Sequence, residues 1–138
     1  MLVGNDVAFS PIAGAWTSWT PSRTGITIGN GTESARYLQV GKTVAINYKL
    51  TLGTTSSVSG DIAISLPVAN NVLTVGSASL FVTGTDWQGI IFLVSSIMYV
   101  RVLETSGTYG NYKNCSATIP ATWSSAAAIY ASVVYEAA

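Results

Sequence analysis

A strict alternation of apolar and polar side chains between Thr43 and Leu52 constrains this fold more than any other feature of the chain. In the segment TVAINYKLTL, every second residue from Val44 onward is apolar. A period of two places one row of side chains in a core and the other toward water, as in a half-buried β-strand. The preceding segment RYLQV is joined to it through Gly41 and Lys42. A two-residue link with glycine first predicts a type II′ hairpin turn, with positive φ at Gly41.

Further strands are predicted at short intervals along the chain, in the segments DIAISLPV, GSASLFVTG, GIIFLVSS, IMYVRVLE and AIYASVVYE. The segments GTTSSVSGD, TGTDWQG and ETSGTYGNYKN between them are predicted turns and loops. No stretch combines a helical apolar period with capping residues. Short strands at such spacing predict an all-β fold, an antiparallel β-sandwich of the jelly-roll-like kind. At 138 residues the chain is predicted to hold one domain, residues 15–138, behind an extended N-terminal arm, residues 1–14.

The low charge of the chain argues against several classes of partner. Six basic residues balance six acidic ones, and only 9% of residues are charged. No basic stripe is available for nucleic acid. The most apolar run, Gly89 to Leu103, is interrupted by Ser95, Ser96 and Arg101, so no membrane insertion is expected. The N-terminus lacks the pattern of a secretory signal, which predicts synthesis and assembly in the cytoplasm. Because 49% of residues are hydrophobic, part of the surface is expected to meet another chain.

The absence of histidine limits the chemistry of the chain. Without histidine there is no Ser-His or Cys-His pair for nucleophilic catalysis, and a lone Cys115 cannot build a zinc site. Cys115 is predicted to be a buried thiol, with an intermolecular disulfide as the alternative. A glycosidase would need only two carboxylates. Asp61, Asp86, Glu33 and Glu104 are the candidates, but turn capping or solvation explains them more simply. The prediction is therefore a protein that is not an enzyme and has no metal or cofactor.

The aromatic residues are the best candidates for contacts with other molecules. Trp16 and Trp19 are predicted to pack against the domain or a neighbouring subunit rather than to bind a ligand. Trp87, Tyr109 and Tyr112 fall in predicted loops, where ligand binding and packing are equally favoured. The arm is predicted to be an attachment element, the alternative being a frayed terminus. Its apolar contacts would be Leu2, Val3, Val7, Phe9 and Ile12.

Two segments of the chain resemble a known family. Residues 16–68, WTSWTPSRTGITIGNGTESARYLQVGKTVAINYKLTLGTTSSVSGDIAISLPV, resemble a small β-domain found in virion proteins of tailed bacteriophages, especially minor tail proteins and tail-fibre tips. Residues 120–138, which contain Trp123 and the closing Tyr135 and Glu136, resemble it less closely. Residues 69–119 carry no such likeness. The shared positions are mostly turns and core-facing residues, which indicate a fold rather than a chemical act.

The resemblance implies a domain displayed on the virion surface, often as a trimer, and it carries over no catalytic residue. The first hypothesis is a capsid decoration protein that forms a homotrimer and binds other virion proteins, such as major capsid or tail proteins, through its arm. A missing stalk favours this hypothesis, because tail-fibre tips normally follow a long one. The alternative is a receptor-binding minor tail or tail-fibre protein that recognises a host-surface glycan through Trp87, Tyr109 and Tyr112.

Overall fold

The computed structural model describes residues 15–138. Within this range the chain forms ten β-strands. Their bounds are β1 Thr17–Ser18, β2 Arg23–Thr27, β3 Thr32–Val40, β4 Thr43–Thr51, β5 Ser57–Ser65, β6 Thr74–Val82, β7 Thr85–Val94, β8 Ile97–Glu104, β9 Asn111–Asn114 and β10 Ala128–Glu136. The predicted N-terminal arm, with its apolar residues, lies outside the described residues.

All ten strands belong to one antiparallel sheet, in the order β1-β3-β4-β10-β6-β7-β8-β5-β2, with β9 paired to β8. The sheet curls into a half-barrel, so its two halves face each other across the core. The all-β, antiparallel, sandwich-like prediction is confirmed. The two layers are the two ends of one continuous sheet, because the C-terminal strand β10 pairs with both β4 and β6 and joins the early strands to the later ones.

The predicted hairpin between residues 32 and 51 is present. Val40 pairs with Thr43, and Gly41 has a φ of 59°, the positive value that a type II′ turn requires at its first central residue. The apolar row of β4 is buried, with Val44 and Leu50 fully inaccessible to water. The same alternation buries Met98 in β8 and Ile129 in β10. Period-two patterning therefore identified the core face of these strands correctly.

The strands extend further into the predicted turns than the sequence suggested. The turn between β6 and β7 contains only Thr83 and Gly84, whose φ values of 53° and 72° fit a type I′ turn. Trp87 therefore lies on β7, and Tyr112 lies on β9, whereas the sequence placed both in loops. Pairing with a neighbouring strand satisfies the backbone polar groups of these segments, which outweighs their polar, glycine-containing composition.

The two ends of the sheet are joined by side chains on the inner face. Arg23 of β2 forms an ion pair with Glu33 of β3, with Nη1 2.6 Å from Oε1. Near them the Trp19 indole donates a hydrogen bond to the backbone carbonyl of Ser65 in β5, at 3.2 Å. The ring of Trp19 packs edge-on against Tyr37, with centroids 6.1 Å apart. These contacts hold the sheet in its curled form.

Candidate functional sites on the sheet

An apolar band crosses the outer face of the sheet, the face opposite the buried core. Strand register brings its members side by side: Leu38 lies opposite Ala45, Ala45 opposite Val134, Val75 opposite Phe92, and Phe92 opposite Tyr99, which pairs with Ala63. Val134 and Val75, on neighbouring strands β10 and β6, are 62% and 52% exposed. The apolar band consists of Leu38, Ala45, Val134, Val75, Phe92, Tyr99 and Ala63. Its members are uncharged, but the neighbouring Arg101 extends over one of them, with its guanidinium carbon 4.2 Å from the centroid of the Phe92 ring.

Trp16 lies on the outer face beside the apolar band. It lines a groove of about 460 Å³ together with Ala45, Val75 and Val134. The Arg36 guanidinium carbon lies 5.7 Å from the centroid of the Trp16 ring, at a distance suited to a cation-π contact. The domain therefore begins at the edge of the apolar band.

A polar groove occupies the next part of the outer face, toward the other end of the strands. Its volume is about 360 Å³. The ammonium nitrogen of Lys49 lies 5.4 Å from the centroid of the Tyr130 ring. The outward-facing side chains of the groove are Asn47, Lys49, Ser77, Ser79, Tyr130 and Ser132. This groove is open and shallow, and three of these six side chains are serine hydroxyls.

A third cavity, the end pocket, lies where the ends of β8 and β9 meet the start of β7. It has a volume of about 340 Å³. Trp87, Val102 and Pro120 give it apolar walls, and Glu104 and Lys113 give it charged groups. The loop that carries Pro120 is held in place by Trp123, whose indole donates hydrogen bonds to the carbonyls of Ser116 and Ile119, at 2.8 and 3.2 Å.

The charges of the end pocket are paired. Lys113 Nζ lies 2.7 Å from Glu104 Oε1, and the Ser106 hydroxyl donates to the same oxygen at 3.1 Å. The hydrogen bond from Lys113 lowers the pKa of the Glu104 carboxyl below its usual value. Among the described residues, the other carboxylate oxygen, Oε2, accepts no hydrogen bond. The Glu104 carboxylate is therefore ionised at neutral pH, and its charge is balanced by Lys113. The pocket offers the remaining protons of Lys113 as donors and Oε2 of Glu104 as an unused acceptor.

The three aromatic residues proposed from sequence as ligand contacts are not brought together. Trp87 lines the end pocket and packs against the core, opposite Leu80. Tyr112 pairs with Leu103, which neighbours the buried Val102 in sequence, so Tyr112 belongs to the opposite face of the sheet. Tyr109 is 83% exposed, in the loop between β8 and β9. Of the three, only Trp87 contributes to the end pocket.

The four carboxylates considered for catalysis are separately engaged or isolated. Glu33 binds Arg23 and Tyr48, Glu104 binds Lys113, and Asp61 accepts a hydrogen bond from the Asn114 side chain at 3.0 Å. Asp86 is exposed on β7. Among residues 15–138, no three His, Cys, Asp or Glu side chains are grouped to hold a metal ion. Cys115 is fully buried, and burial raises its thiol pKa to about 12.

Sequence reasoning missed Lys113 and Pro120 in the end pocket and Tyr130 in the polar groove. Alternation along AIYASVVYE placed Tyr130 on the outward row, which was the one available signal for that residue. No local pattern links Lys113 or Pro120 to Trp87, because these residues approach one another only through strand pairing and the path of the 115–127 loop.

No family model matches the chain, and no curated protein or solved structure is significantly similar to it. In the part of the chain that the structure describes, no helix is long and apolar enough to span a membrane.

Proposed function

We propose that this protein is a non-enzymatic structural protein on the surface of a tailed-bacteriophage virion, where it forms a homotrimer through the apolar band. The observation that carries the proposal is the band itself. Val134 and Val75 expose more than half of their surface in an isolated chain, beside Trp16 at 45%. Removing such a surface from water is favourable by about 25 cal/mol per Å² of apolar area, before the entropic cost of association is deducted.

A second copy of this chain is the occupant that best fits the band. Its members are uncharged, so three copies of the band can meet around a threefold axis without bringing like charges of the band together, and no charged partner is required. The polar groove and the exposed charges of Lys49 and Arg36 lie to one side of it, as a polar rim lies beside an interface core. The phage assignment comes from the resemblance of residues 16–68 and 120–138 to virion β-domains.

The attachment role belongs to the arm in this proposal. Leu2, Val3, Val7, Phe9 and Ile12 would contact other virion proteins, such as the major capsid or tail proteins. The separation of Trp87 from Tyr112 on opposite faces supports the decoration role over a receptor-binding role that uses these aromatics as one surface. The protein would be made in the bacterial cytoplasm and displayed on the outside of the particle.

Oligomeric state tests the assembly surface. Sedimentation of the wild-type protein at micromolar concentration should give a trimer. The double variant Val75→Lys with Val134→Lys should be monomeric with little change in melting temperature, because both side chains are exposed in the isolated chain. The control is Ser79→Lys, which lines the polar groove but not the groove beside the apolar band, and which should remain trimeric. A stable wild-type monomer would contradict the proposal.

Labelling of purified phage particles with an antibody to this protein tests the location. Label over the head supports a decoration protein, whereas label at the tail supports the receptor-binding alternative. Particles that carry no label would exclude a virion role.

A further inference from the structure

We propose that the end pocket binds a neutral saccharide, whose ring packs its C–H face on Trp87 and Pro120 and whose hydroxyls bond to Glu104 and Lys113. This inference is independent of the assembly role, because the pocket is lined by different residues from the apolar band. The sequence predicted a glycan site made of Trp87, Tyr109 and Tyr112. The end pocket shares only Trp87 with that prediction.

The chemistry of the walls defines the class of ligand. The pocket is lined by the apolar side chains of Trp87, Ile119 and Pro120 and by the polar side chains of Glu104, Lys113 and Ser106. A ligand that matches both needs an apolar face and a polar rim. Pyranose rings have this character, with axial C–H groups on a face and hydroxyls around the edge, and aromatic side chains with a nearby polar group suit them.

The charges of the site favour a neutral ligand over an ionic one. Lys113 and Glu104 already neutralise each other at 2.7 Å, so the pair has no net charge with which to attract an anion or a cation. A sugar hydroxyl both donates and accepts. It can therefore donate to Glu104 Oε2, which accepts no hydrogen bond from the described residues, and accept from a remaining proton of Lys113 without separating the pair.

The site is also largely organised before a ligand arrives. Ser106 and Lys113 orient the Glu104 carboxylate through Oε1, and Trp123 fixes the loop that carries Pro120. The side chain of Glu104 is 30% exposed and that of Lys113 is 49% exposed, so both remain accessible from solvent. The volume of about 340 Å³ lies at the lower end of the range for small-molecule sites.

The experiment is a titration of the ¹⁵N-labelled protein with the methyl glycosides of glucose, galactose, mannose and N-acetylglucosamine at millimolar concentrations. The four tryptophans give four indole N–H resonances, so the reporter at Trp87 is separate from an internal reference at Trp19, which does not line the pocket. At least one glycoside should shift the Trp87 indole and the Lys113 amide while the Trp19 indole stays in place.

Glu104→Gln preserves the shape of the side chain and removes its charge, and we expect it to weaken binding about tenfold, the loss that corresponds to ~1.4 kcal/mol. The matched control is Glu136→Gln, an exposed carboxylate on β10 outside the pocket, which should bind like the wild type. Lys113→Met should also weaken binding, and it provides an independent test in case Glu104→Gln perturbs the loop. The proposal would be overturned if no glycoside shifted the Trp87 indole, or if the shifts were unchanged in both pocket variants. Valine, a zwitterion titrated in parallel, tests the preference for a neutral ligand, and tighter binding of valine than of the glycosides would also overturn the proposal.

Discussion

The hydroxyl of Tyr48 donates a hydrogen bond to Glu33 Oε2 at 2.7 Å, while Arg23 holds the other oxygen of the same carboxylate. Tyr48 and Glu33 lie on the paired strands β4 and β3, whereas Arg23 comes from β2 at the far end of the sheet order. One carboxylate therefore connects the two ends of the curled sheet. Burial, together with the adjacent Glu33 carboxylate, raises the pKa of the Tyr48 phenol well above its usual value.

Tyr48→Phe should lower the free energy of unfolding by about 1.5–3 kcal/mol, because it removes a hydrogen bond to an ionised group that is only 12% exposed. Urea denaturation measures the loss. In a double-mutant cycle, Glu33→Gln should cost much less when Tyr48 is already Phe. Tyr130→Phe, on the outer face, is the control and should change stability by no more than ~0.5 kcal/mol. Equal losses of stability in the Tyr48 and Tyr130 variants would contradict a role for Tyr48 in joining the two ends of the sheet.

Gly76 should not tolerate a side chain, whereas Gly60 should. A Cβ on Gly76 would lie 2.5 Å from Val133 Cβ and 2.7 Å from the Ser132 carbonyl oxygen, where β6 passes close to β10. A Cβ on Gly60 would have only the Gly25 Cα within reach, at 4.0 Å. Gly76→Ala should destabilise the protein by about 1–3 kcal/mol and Gly60→Ala by no more than ~0.5 kcal/mol. The melting temperatures of the two variants test this prediction, and equal values would contradict it.

Alkaline pH should destabilise the fold through Cys115. Burial raises its pKa from 9.0 to about 12, so above pH 9 the unfolded chain loses the thiol proton while the folded chain retains it. The unfolded state is then favoured, and stability falls between pH 9 and 12 by up to ~1.4 kcal/mol per pH unit.

Urea denaturation at intervals from pH 8 to 11 measures this slope. Cys115→Ala should be less stable at pH 8 because of the cavity it leaves, yet should show a shallower decline. Tyr135→Phe is the control: burial raises the pKa of Tyr135 from 10.0 to about 12, so this variant should alter the slope only above pH 10. Parallel declines for wild type and Cys115→Ala would refute the assignment.

Deletion of residues 2–12 should leave the domain folded and prevent its incorporation into phage particles. The ten strands all lie within residues 17–136, so their pairing does not involve the deleted segment. The checks are the melting temperature of the purified domain and immunoblots of particles assembled in its presence. Normal incorporation of the truncated protein would show that the attachment surface lies elsewhere.

Local sequence pattern determined which residues of each strand face the core. The alternation along TVAINYKLTL, IMYVRVLE and AIYASVVYE matches the buried rows that contain Tyr48, Val100 and Val133, because successive side chains of an extended strand point to opposite faces. The Gly41 turn was predictable for an equally local reason, since a two-residue hairpin needs positive φ at its first position. Burial of Cys115 followed from its chemistry.

Tertiary structure decided which strands are neighbours, and with them every candidate site. The sequence does not show that β10 lies between β4 and β6, yet this strand order brings Val134 and Val75 into one groove of the outer face. Trp87 meets Lys113 only because β7, β8 and β9 are adjacent. Alternation depends on consecutive residues, whereas strand order depends on how distant segments share one core. The same outward-facing valine can meet water or another chain, and only its cross-strand neighbours distinguish these outcomes.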